Sequence, residues 1–457
     1  MTAGLPTPRR YFAVISVSAG TILLQIDSTI AAVALPTIAQ ALDIPSSSAV
    51  LVVTVYQLLL AMTIIPFSAL ADRIGHQRFY MAGMTIFIVA SAASLLATNL
   101  PTLLLARAAQ ALSASAAMSV SLGMVRGIYP ASQLGRGLGI NTLAGSSGLA
   151  MAPAIGGLIL SVASWHWVFV AAAPLAMLSL LTGRAVPDPA PHSEPFDLAG
   201  AALYAATVGL LILGFEGLAH WGRPEPALSI VAAAVAIGYG FVRYERRQPR
   251  PVLPIDLLAF PPCGFAVIAA FVGAIGSAVL LFSLPFRLQQ TYGFGPAEIG
   301  AMIAPYAVAS VMIAPASGMV SDYVRPILVS MAGIVVAIAA VLLVAFLPAN
   351  PNYFDIAWRV WLCGAGFGMF LAPNARIIVA SAPIERAAAA GGLITTTRML
   401  GQASAATLLG ALLALGVGAS AAPALVAAGL TLVAGLSAAL GPLRASRTQA
   451  ALMESAK

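Results

Sequence analysis

The chain has 457 residues, of which 60% are hydrophobic and only 8% are charged, and its formal net charge is +7. Soluble proteins contain about 25% charged residues, so this composition excludes a soluble fold and indicates a polytopic membrane protein. The basic residues stand singly or in pairs between apolar runs, as topogenic charges do, which excludes a nucleic-acid-binding protein. The two cysteines, Cys263 and Cys363, lie in apolar runs and indicate neither a disulfide framework nor a metal site.

Continuous apolar runs of membrane-spanning length predict transmembrane helices rather than the short alternating strands of a β-barrel. The first run follows Arg9 and Arg10 but is too long for a signal peptide, so we expect a retained first helix. The prediction is an all-α membrane protein without soluble domains. Its fourteen expected spans are 11–35, 49–71, 79–98, 101–124, 137–162, 165–183, 197–219, 226–243, 263–290, 296–320, 327–347, 354–375, 387–415 and 421–441.

The basic residues predict the orientation. With the N-terminus inside the cell, all but five of the 22 Lys and Arg residues fall on the cytoplasmic side. Arg223 lies in an outer loop, and Arg107, Arg287, Arg359 and Arg398 lie within or at the ends of spans. We therefore expect a multi-pass protein of the cell membrane with both termini in the cytoplasm.

A weak internal repeat relates the two halves of the chain. Residues 68–72 after span 2 are echoed by residues 318–322 after span 10, and Arg107 is echoed by Arg359. Repeats of this kind are typical of secondary transporters, which alternate access by moving one half against the other. The expected parts are an N-terminal six-helix bundle (1–183), an inserted helix pair with its flanking loops (184–262), a C-terminal six-helix bundle (263–443) and a tail (444–457).

Asp27 is the acidic residue that lies deepest in a predicted span. It stands in the stretch LQIDSTIAAVALP, residues 24–36, about midway along span 1. An ionisable group at the centre of a membrane helix costs about 2.5–3.5 kcal/mol on insertion scales, so such a residue marks a functional site by default.

The loop after span 2 reads SALADRIGHQR over residues 68–78. Its Asp72 can interact with a helix N-terminus or an arginine, while Gly75 permits a tight reversal between Arg73 and Arg78. The alternative is a solvated topogenic loop.

Span 4 carries RAAQA at residues 107–111, in which Arg107 and Gln110 share a helix face. A buried guanidinium needs acceptors or a counter-ion. The alternative is that Arg107 snorkels to a membrane face.

Span 5 carries GSSGLAMAPAIGG at residues 145–157. Pro153 removes a backbone donor and bends the helix, while Gly148, Gly156 and Gly157 permit close helix packing.

These elements together resemble the major facilitator superfamily. Residues 68–78 are similar to its G-x-L-a-D-r-x-G-r-k loop, residues 107–111 to its R-x-x-Q-G element, and residues 145–157 to the antiporter signature g-x-x-x-G-P-x-x-G-G. Residues 24–36 resemble the first helix of the fourteen-spanner drug:H⁺ antiporters, l-D-x-T-[IV]-[VI]-N-V-A-L-P. The positions that depart from these patterns are Ser68, Ala111, Ala152 and Ala32.

The resemblance implies the major facilitator fold and a multidrug efflux function driven by the proton gradient, with no other cofactor. It implies proton coupling by Asp27 and Arg107, and gating by the loop of Asp72, Arg73, Gly75 and Arg78. The span 5 motif (Gly148, Pro153, Gly156, Gly157) is associated with exporters. The expected partners are the lipid bilayer, protons and a small amphipathic organic substrate, handled by a monomer. The polar residues that we expect in the substrate cavity are Gln25, Thr29, Gln110, Gln289 and Arg398.

Several polar residues in the spans allow two interpretations of their role. Glu216 is either an interfacial residue or a cargo ligand, and Arg287 either biases the substrate charge or lies at the outer interface. Arg398 lines the cavity or contacts helix ends, and Asn374 lies in the cavity or caps span 12. Span 13 has no acidic residue, which lowers the expectation of divalent cationic drugs.

Two other functions stay open from the sequence. One is a substrate-specific importer or symporter, which the span 5 motif disfavours. The other is a non-transporting receptor or scaffold on a transporter fold. No phosphate-binding glycine loop or catalytic triad is apparent, so neither an ATP-driven pump nor an enzyme is expected.

Overall fold

The structure, a computed structural model, describes residues 4–130, 133–188, 197–220, 224–248, 255–258, 260–382 and 387–455. Within these ranges, fourteen helices have ten residues or more, and each corresponds to one of the predicted spans. The first seven are α1 (Thr7–Ala41), α2 (Leu51–Ile74), α3 (His76–Ser94), α4 (Leu100–Ile128), α5 (Leu134–Val162), α6 (Ala173–Thr182) and α7 (Leu198–His220). The others are α8 (Pro224–Glu245), α9 (Pro261–Gln290), α10 (Pro296–Tyr323), α11 (Pro326–Ala345), α12 (Tyr353–Ala380), α13 (Ala387–Ala414) and α14 (Ala422–Ser455).

The expected number of fourteen spans is not supported. Among the described residues, twelve helical segments are long and apolar enough to cross a membrane, and α3 and α13 are not among them. One of the twelve is Trp165–Ala185, which consists of α6 and the 3-10 turns on either side of it. The reason lies in their composition: α3 has 19 residues and begins with His76, Gln77 and Arg78. In α13, Arg398 and Gln402 reduce the apolar length.

Two helices related by the internal repeat begin in the same way. Asn99 accepts a hydrogen bond from the backbone N–H of Thr102, whose side chain accepts one from the Asn99 N–H, and α4 follows. Asn352 and Asp355 form the same reciprocal capping box at the start of α12. Such boxes satisfy backbone donors that the first helical turn leaves unpaired. The repeat seen in the sequence therefore extends to how these helices start.

The chain divides into two units by packing. The first comprises residues 1–235 and 294–304, and the second comprises residues 236–293 and 305–457. In the first unit, α1 packs against α4, α5 and α6, while α2 and α3 pack against α4 and α7 packs against α2. In the second, α9 packs against α12, α13 and α14, and α11 packs against α12 and α14. The bundle boundaries expected from the sequence, with a separate inserted pair, stay a prediction.

Candidate functional site

Asp27 lies in the middle part of α1, and only 1% of its surface is exposed. Its helix is surrounded by three others, and Ile26, Ile30 and Ala31 beside it are also buried. A carboxylate among apolar side chains is costly unless another group compensates its charge.

Arg107 of α4 supplies that compensation. Its Nη1 donates a hydrogen bond to Asp27 Oδ1 at 3.0 Å, and its Nη2 donates to the Asp27 backbone carbonyl at 3.4 Å. Both side chains are 1% exposed. Arg107 therefore does not snorkel to a membrane face; it forms a buried ion pair that ties α1 to α4.

Two aromatic rings enclose the guanidinium of Arg107. Its Cζ lies 4.1 Å from the ring centre of Tyr56 on α2 and 5.2 Å from that of Phe169, in the turn before α6. Both rings are fully buried. A cation over an aromatic face is attracted by the ring quadrupole, most strongly where water is excluded. The rings therefore stabilise the charge of Arg107 and seal the ion pair.

Gln110 holds the guanidinium from its own helix. Its Oε1 accepts a hydrogen bond from Arg107 Nη1 at 2.9 Å, while its Nε2 donates to Ser91 Oγ on α3 and to the Phe169 carbonyl. Gln110 has no exposed surface. We expected it in the substrate cavity, but this geometry makes it a residue that orients Arg107.

Three polar atoms of this cluster have no hydrogen-bond partner among the described residues. They are Asp27 Oδ2, Arg107 Nε and the Tyr56 hydroxyl, whose interaction with Asp27 falls outside normal hydrogen-bond geometry. Buried polar groups are nearly always satisfied, and exceptions call for an explanation. A proton on Oδ2 would use the free oxygen and remove the charge that Arg107 compensates.

The partly exposed side of α1 is polar and lies away from Asp27. Gln25, Ser28 and Thr29 keep partial exposure, whereas Ile26 and Asp27 between them are buried. Gln25 and Asp27 are separated by roughly 200° around the helix axis, at about 100° per residue. The two cavity residues predicted on α1, Gln25 and Thr29, are thus accessible, but they do not share a face with the ion pair.

The glycines of α5 allow that helix to approach α1 closely. A Cβ atom on Gly148 would lie 2.6 Å from the carbonyl oxygen of Ile22, and one on Gly156 would lie 3.0 Å from the side chain of Ile30. These contacts lie on either side of Asp27 along α1. On Gly157, a Cβ would lie 2.7 Å from the carbonyl oxygen of Pro296. The motif therefore sets the position of the helix that carries the buried carboxylate.

The loop between α2 and α3 is bonded to the segment after α6. Gly75 joins the helices with φ of 103°, and a Cβ there would lie 2.7 Å from Asp188. Asp188 accepts a hydrogen bond from the Gln77 N–H, and Gln77 Nε2 donates to the carbonyls of residues 183, 184 and 186. Asp72 pairs with His76 at 2.8 Å. Arg73 and Arg78 are exposed.

Arg287 of the second unit is bonded to a helix end. Its Nη1 and Nη2 donate to the carbonyls of Val344 and Ala345, at 2.8 Å and 3.0 Å, and Nη2 also donates to the Tyr292 hydroxyl. These carbonyls end α11, where cations are favoured by unpaired acceptors and by the helix dipole. Its side chain is therefore part of the packing of the second unit.

The remaining polar residues are distributed over the second unit and α7. Asn374 donates to the Ala266 carbonyl and is buried, Gln289 lies in the last turn of α9, and Glu216 is 9% exposed on α7. Arg398 on α13 is partly exposed and forms no hydrogen bond or ion pair with another described residue. The predicted cavity residues are therefore found on α1 and α4 of the first unit and on α9 and α13 of the second.

Sequence reasoning did not identify Tyr56, Phe169, Ser91 or Asp188 as members of these networks. Tyr56 and Ser91 stand in apolar spans without a motif, and their roles depend on which helix faces which. Among the described residues, no group of three or more His, Cys, Asp or Glu side chains could hold a metal ion.

Comparison with known proteins agrees with this architecture. The model of a family described as Major Facilitator Superfamily matches residues 17–406 and 266–452. The chain is 36% identical over 417 residues to the uncharacterized transporter YebQ of Escherichia coli (strain K12), covering 90% of each protein. It is 28% identical over 410 residues to the tetracenomycin C resistance and export protein of Streptomyces glaucescens, covering 88% of this chain and 76% of that protein.

Among solved structures, the fold matches the crystal structure of the peptide transporter POT in complex with sulfate. The TM-score is 0.69 at 15% sequence identity, covering 94% of this chain and 95% of that one. At this identity the likeness concerns the fold alone.

Proposed function

The chain belongs to the major facilitator superfamily of membrane transporters, and we propose that it exports amphipathic organic compounds from the cytoplasm in exchange for protons. The observation that carries the proposal is the buried pair of Asp27 and Arg107, with one carboxylate oxygen unused. The export function named for the tetracenomycin relative supports the direction and the substrate class.

Protonation of Asp27 is the proposed coupling step. It neutralises the carboxylate, so the ionic attraction between α1 and α4 is lost, while the hydrogen bond from Arg107 to the Asp27 backbone carbonyl remains. Arg107 stays in place, because Gln110, Tyr56 and Phe169 hold its guanidinium independently of Asp27. Protonation therefore weakens the attachment of α1 to α4, while the guanidinium of Arg107 stays charged and in place on α4. A buried charge without its partner is costly, so the deprotonated and protonated forms favour different arrangements.

The substrate acts on α1 from the other side. Gln25 and Thr29 keep accessible surface there, and Gln25 packs beside Gly148 of α5. Proton and substrate thus compete through the position of one helix rather than for the same atoms. In alternating access, exchange results when the protein changes orientation mainly with one of the two ligands bound.

The loop of Asp72, Arg73, Gly75 and Arg78 is the proposed gating element. Its conformation is held by Asp188 and by the three carbonyls that Gln77 binds, so the loop moves together with the segment that follows α6.

Proton flux in proteoliposomes tests the proposal. A panel of aromatic amines, amides and carboxylates is added outside vesicles that contain a trapped pH dye, without an imposed gradient. Antiport makes the interior more alkaline and symport makes it more acidic, whichever way the protein is inserted. Vesicles without protein report passive permeation.

We expect protein-dependent alkalinisation with at least one compound, and its loss in Asp27→Asn. Asp43→Asn is the matched control, because Asp43 is exposed just beyond α1. A signal of wild-type size in Asp27→Asn, or acidification in its place, would contradict the proposal.

The proposal includes fourteen membrane crossings, with both termini cytoplasmic and the protein acting as a monomer in the cell membrane. Helix α3 packs against α4 and α6, and α13 packs against α9, as spanning helices of a bundle would. At 1.5 Å per residue, the 19 residues of α3 extend roughly 28 Å, close to the thickness of the hydrocarbon core.

Cysteine labelling tests whether α13 crosses the membrane. Both native cysteines are buried, so they give little background. We expect Ser420→Cys, after α13, to react with a membrane-impermeant maleimide added to intact cells, and Ser381→Cys, before α13, to react only after lysis. Equal labelling of both variants in intact cells would contradict the crossing.

A further inference from the structure

One face of α13 carries three polar side chains that keep accessible surface. Thr395, Arg398 and Gln402 follow one another at helical spacings of three and four residues and are all partly exposed. Residues at these spacings lie on one side of a helix. Of the residues between them, Thr396, Thr397, Met399 and Gly401 are buried.

This polar face is distinct from a second, mostly apolar accessible face. Leu400 and Leu408 are also partly exposed, with Ser404 between them; at about 100° per residue, Leu400 lies roughly 200° and Leu408 roughly 280° around the helix from Arg398. Leucine side chains suit the lipid hydrocarbon, whereas an arginine and a glutamine there are costly. The face of Thr395, Arg398 and Gln402 is therefore the one that meets an aqueous space.

Arg398 and Gln402 have unused hydrogen-bond donors. Within the described residues, neither side chain forms a hydrogen bond or an ion pair. The hydroxyl of Thr395 donates to the Gly391 carbonyl of its own helix, which leaves its oxygen available as an acceptor. A guanidinium and an amide one turn apart present several donors to the same region.

No described acidic group on the neighbouring helices compensates Arg398. The helices that pack against α13 are α9, α12 and α14. Within the described residues these helices contain two carboxylates: Asp355 caps α12 and pairs with Arg359, and Glu454 lies in the last turn of α14. Asp322 of α10 pairs with Arg376. In the first unit, Asp27 is already neutralised by Arg107. Among the side chains that the structure describes, Arg398 therefore forms no ion pair.

We infer that the face formed by Thr395, Arg398 and Gln402 binds the carboxylate of the transported compound, so that the substrates are amphipathic organic acids. The inference rests on the proposed transport function for its physiological meaning. An arginine binds a carboxylate through two parallel hydrogen bonds, and Gln402 adds a donor one turn away. Transfer of the apolar part of the same molecule out of water is favourable.

Equilibrium binding to the purified full chain in lipid nanodiscs tests the inference. The probes are 2-naphthoate, 2-naphthamide and 2-naphthylmethylammonium, which share one ring system and differ in charge. We expect the wild type to bind naphthoate at least tenfold more tightly than the other two. Arg398→Gln should weaken naphthoate binding at least tenfold and change the affinity for the amide less than twofold.

Further variants separate charge recognition from damage to the fold. Arg398→Lys should restore part of the naphthoate affinity, because it keeps the charge but not the paired donors. Gln402→Met should lower naphthoate affinity severalfold in a protein with its arginine intact. Arg243→Gln, at an exposed arginine of α8, should leave all three affinities unchanged. Thermal unfolding of each variant monitors the fold.

Three outcomes would overturn the inference. They are a wild type that does not prefer naphthoate, naphthoate affinity unchanged in Arg398→Gln, and an equal loss for all three probes in both Arg398→Gln and Gln402→Met. Binding is measured without a gradient and so does not depend on proton coupling. If the wild type prefers naphthoate but Asp27→Asn still couples transport to protons, only the transport proposal is refuted. Proton-coupled transport without preference for the carboxylate would refute only this inference.

Discussion

Gln25 and Asp27 are two residues apart on α1 and lie on opposite sides of the helix. Asp27 is sealed against Arg107, whereas Gln25 is partly exposed beside Gly148. A single helix thus presents a buried carboxylate to its own bundle and a hydrogen-bonding amide to an accessible face. This arrangement supports the proposed coupling through the position of α1 better than it supports competition of proton and substrate for one carboxylate.

Substitutions of the two residues should therefore have different effects. We expect Gln25→Ala to weaken substrate binding severalfold and to leave the proton released per substrate unchanged. Asp27→Asn should abolish substrate-induced proton flux and change equilibrium binding by less than twofold. Binding in nanodiscs and pH change in proteoliposomes, measured on the same preparations, check both. Loss of binding in Asp27→Asn would instead indicate direct contact with the substrate.

The ring of Tyr56 should matter more for stability than its hydroxyl. A desolvated cation–π contact is worth about 2 kcal/mol. We expect Tyr56→Leu to lower the free energy of unfolding by about that amount, and Tyr56→Phe, which keeps the ring under Arg107, to stay close to wild type. Unfolding in mixed micelles measures both. Equal destabilisation by the two variants would show that the hydroxyl, rather than the ring, supports the site.

Gly148 should be essential for the approach of α5 to α1. A Cβ atom there would lie 2.6 Å from the Ile22 carbonyl, so Gly148→Ala has to displace one of the two helices. We expect at least a tenfold loss of transport rate. Gly429→Ala on α14 is the matched control, because a Cβ there has no neighbour within 4 Å, and it should transport normally. Normal transport by both variants would show that α1 tolerates the displacement.

Arg287 should affect stability without affecting the charge preference. Arg287→Met removes the hydrogen bonds to the last carbonyls of α11, and hydrogen bonds of charged groups are each worth about 1.5–3 kcal/mol. We expect a lower thermal midpoint and an unchanged ratio of naphthoate to naphthamide affinity. A changed ratio of naphthoate to naphthamide affinity would indicate that Arg287 takes part in substrate binding.

The sequence by itself determined the class of protein, the family resemblance and the rough limits of its helices. These follow from local properties: hydropathy over about twenty residues, capping patterns and the cost of a charge in hydrocarbon. The same cost singled out Asp27, since its significance depends only on its place in an apolar run. Hydropathy is a weaker predictor of a membrane span where polar residues shorten the apolar run, as in α3 and α13.

The tertiary structure alone decided what each polar residue touches. Arg107 is 80 residues from Asp27, and nothing local distinguishes a snorkelling arginine from a paired one. The burial of Gln110, the ring of Tyr56 under the guanidinium and the use of Arg287 at the end of α11 depend on which helix faces which. The polar face of α13 can be drawn from helical periodicity, but that Arg398 and Gln402 form no hydrogen bond or ion pair with a described residue can be seen only when the neighbouring helices are in place. Periodicity specifies the angle of a side chain around its own axis, whereas packing determines what lies in that direction.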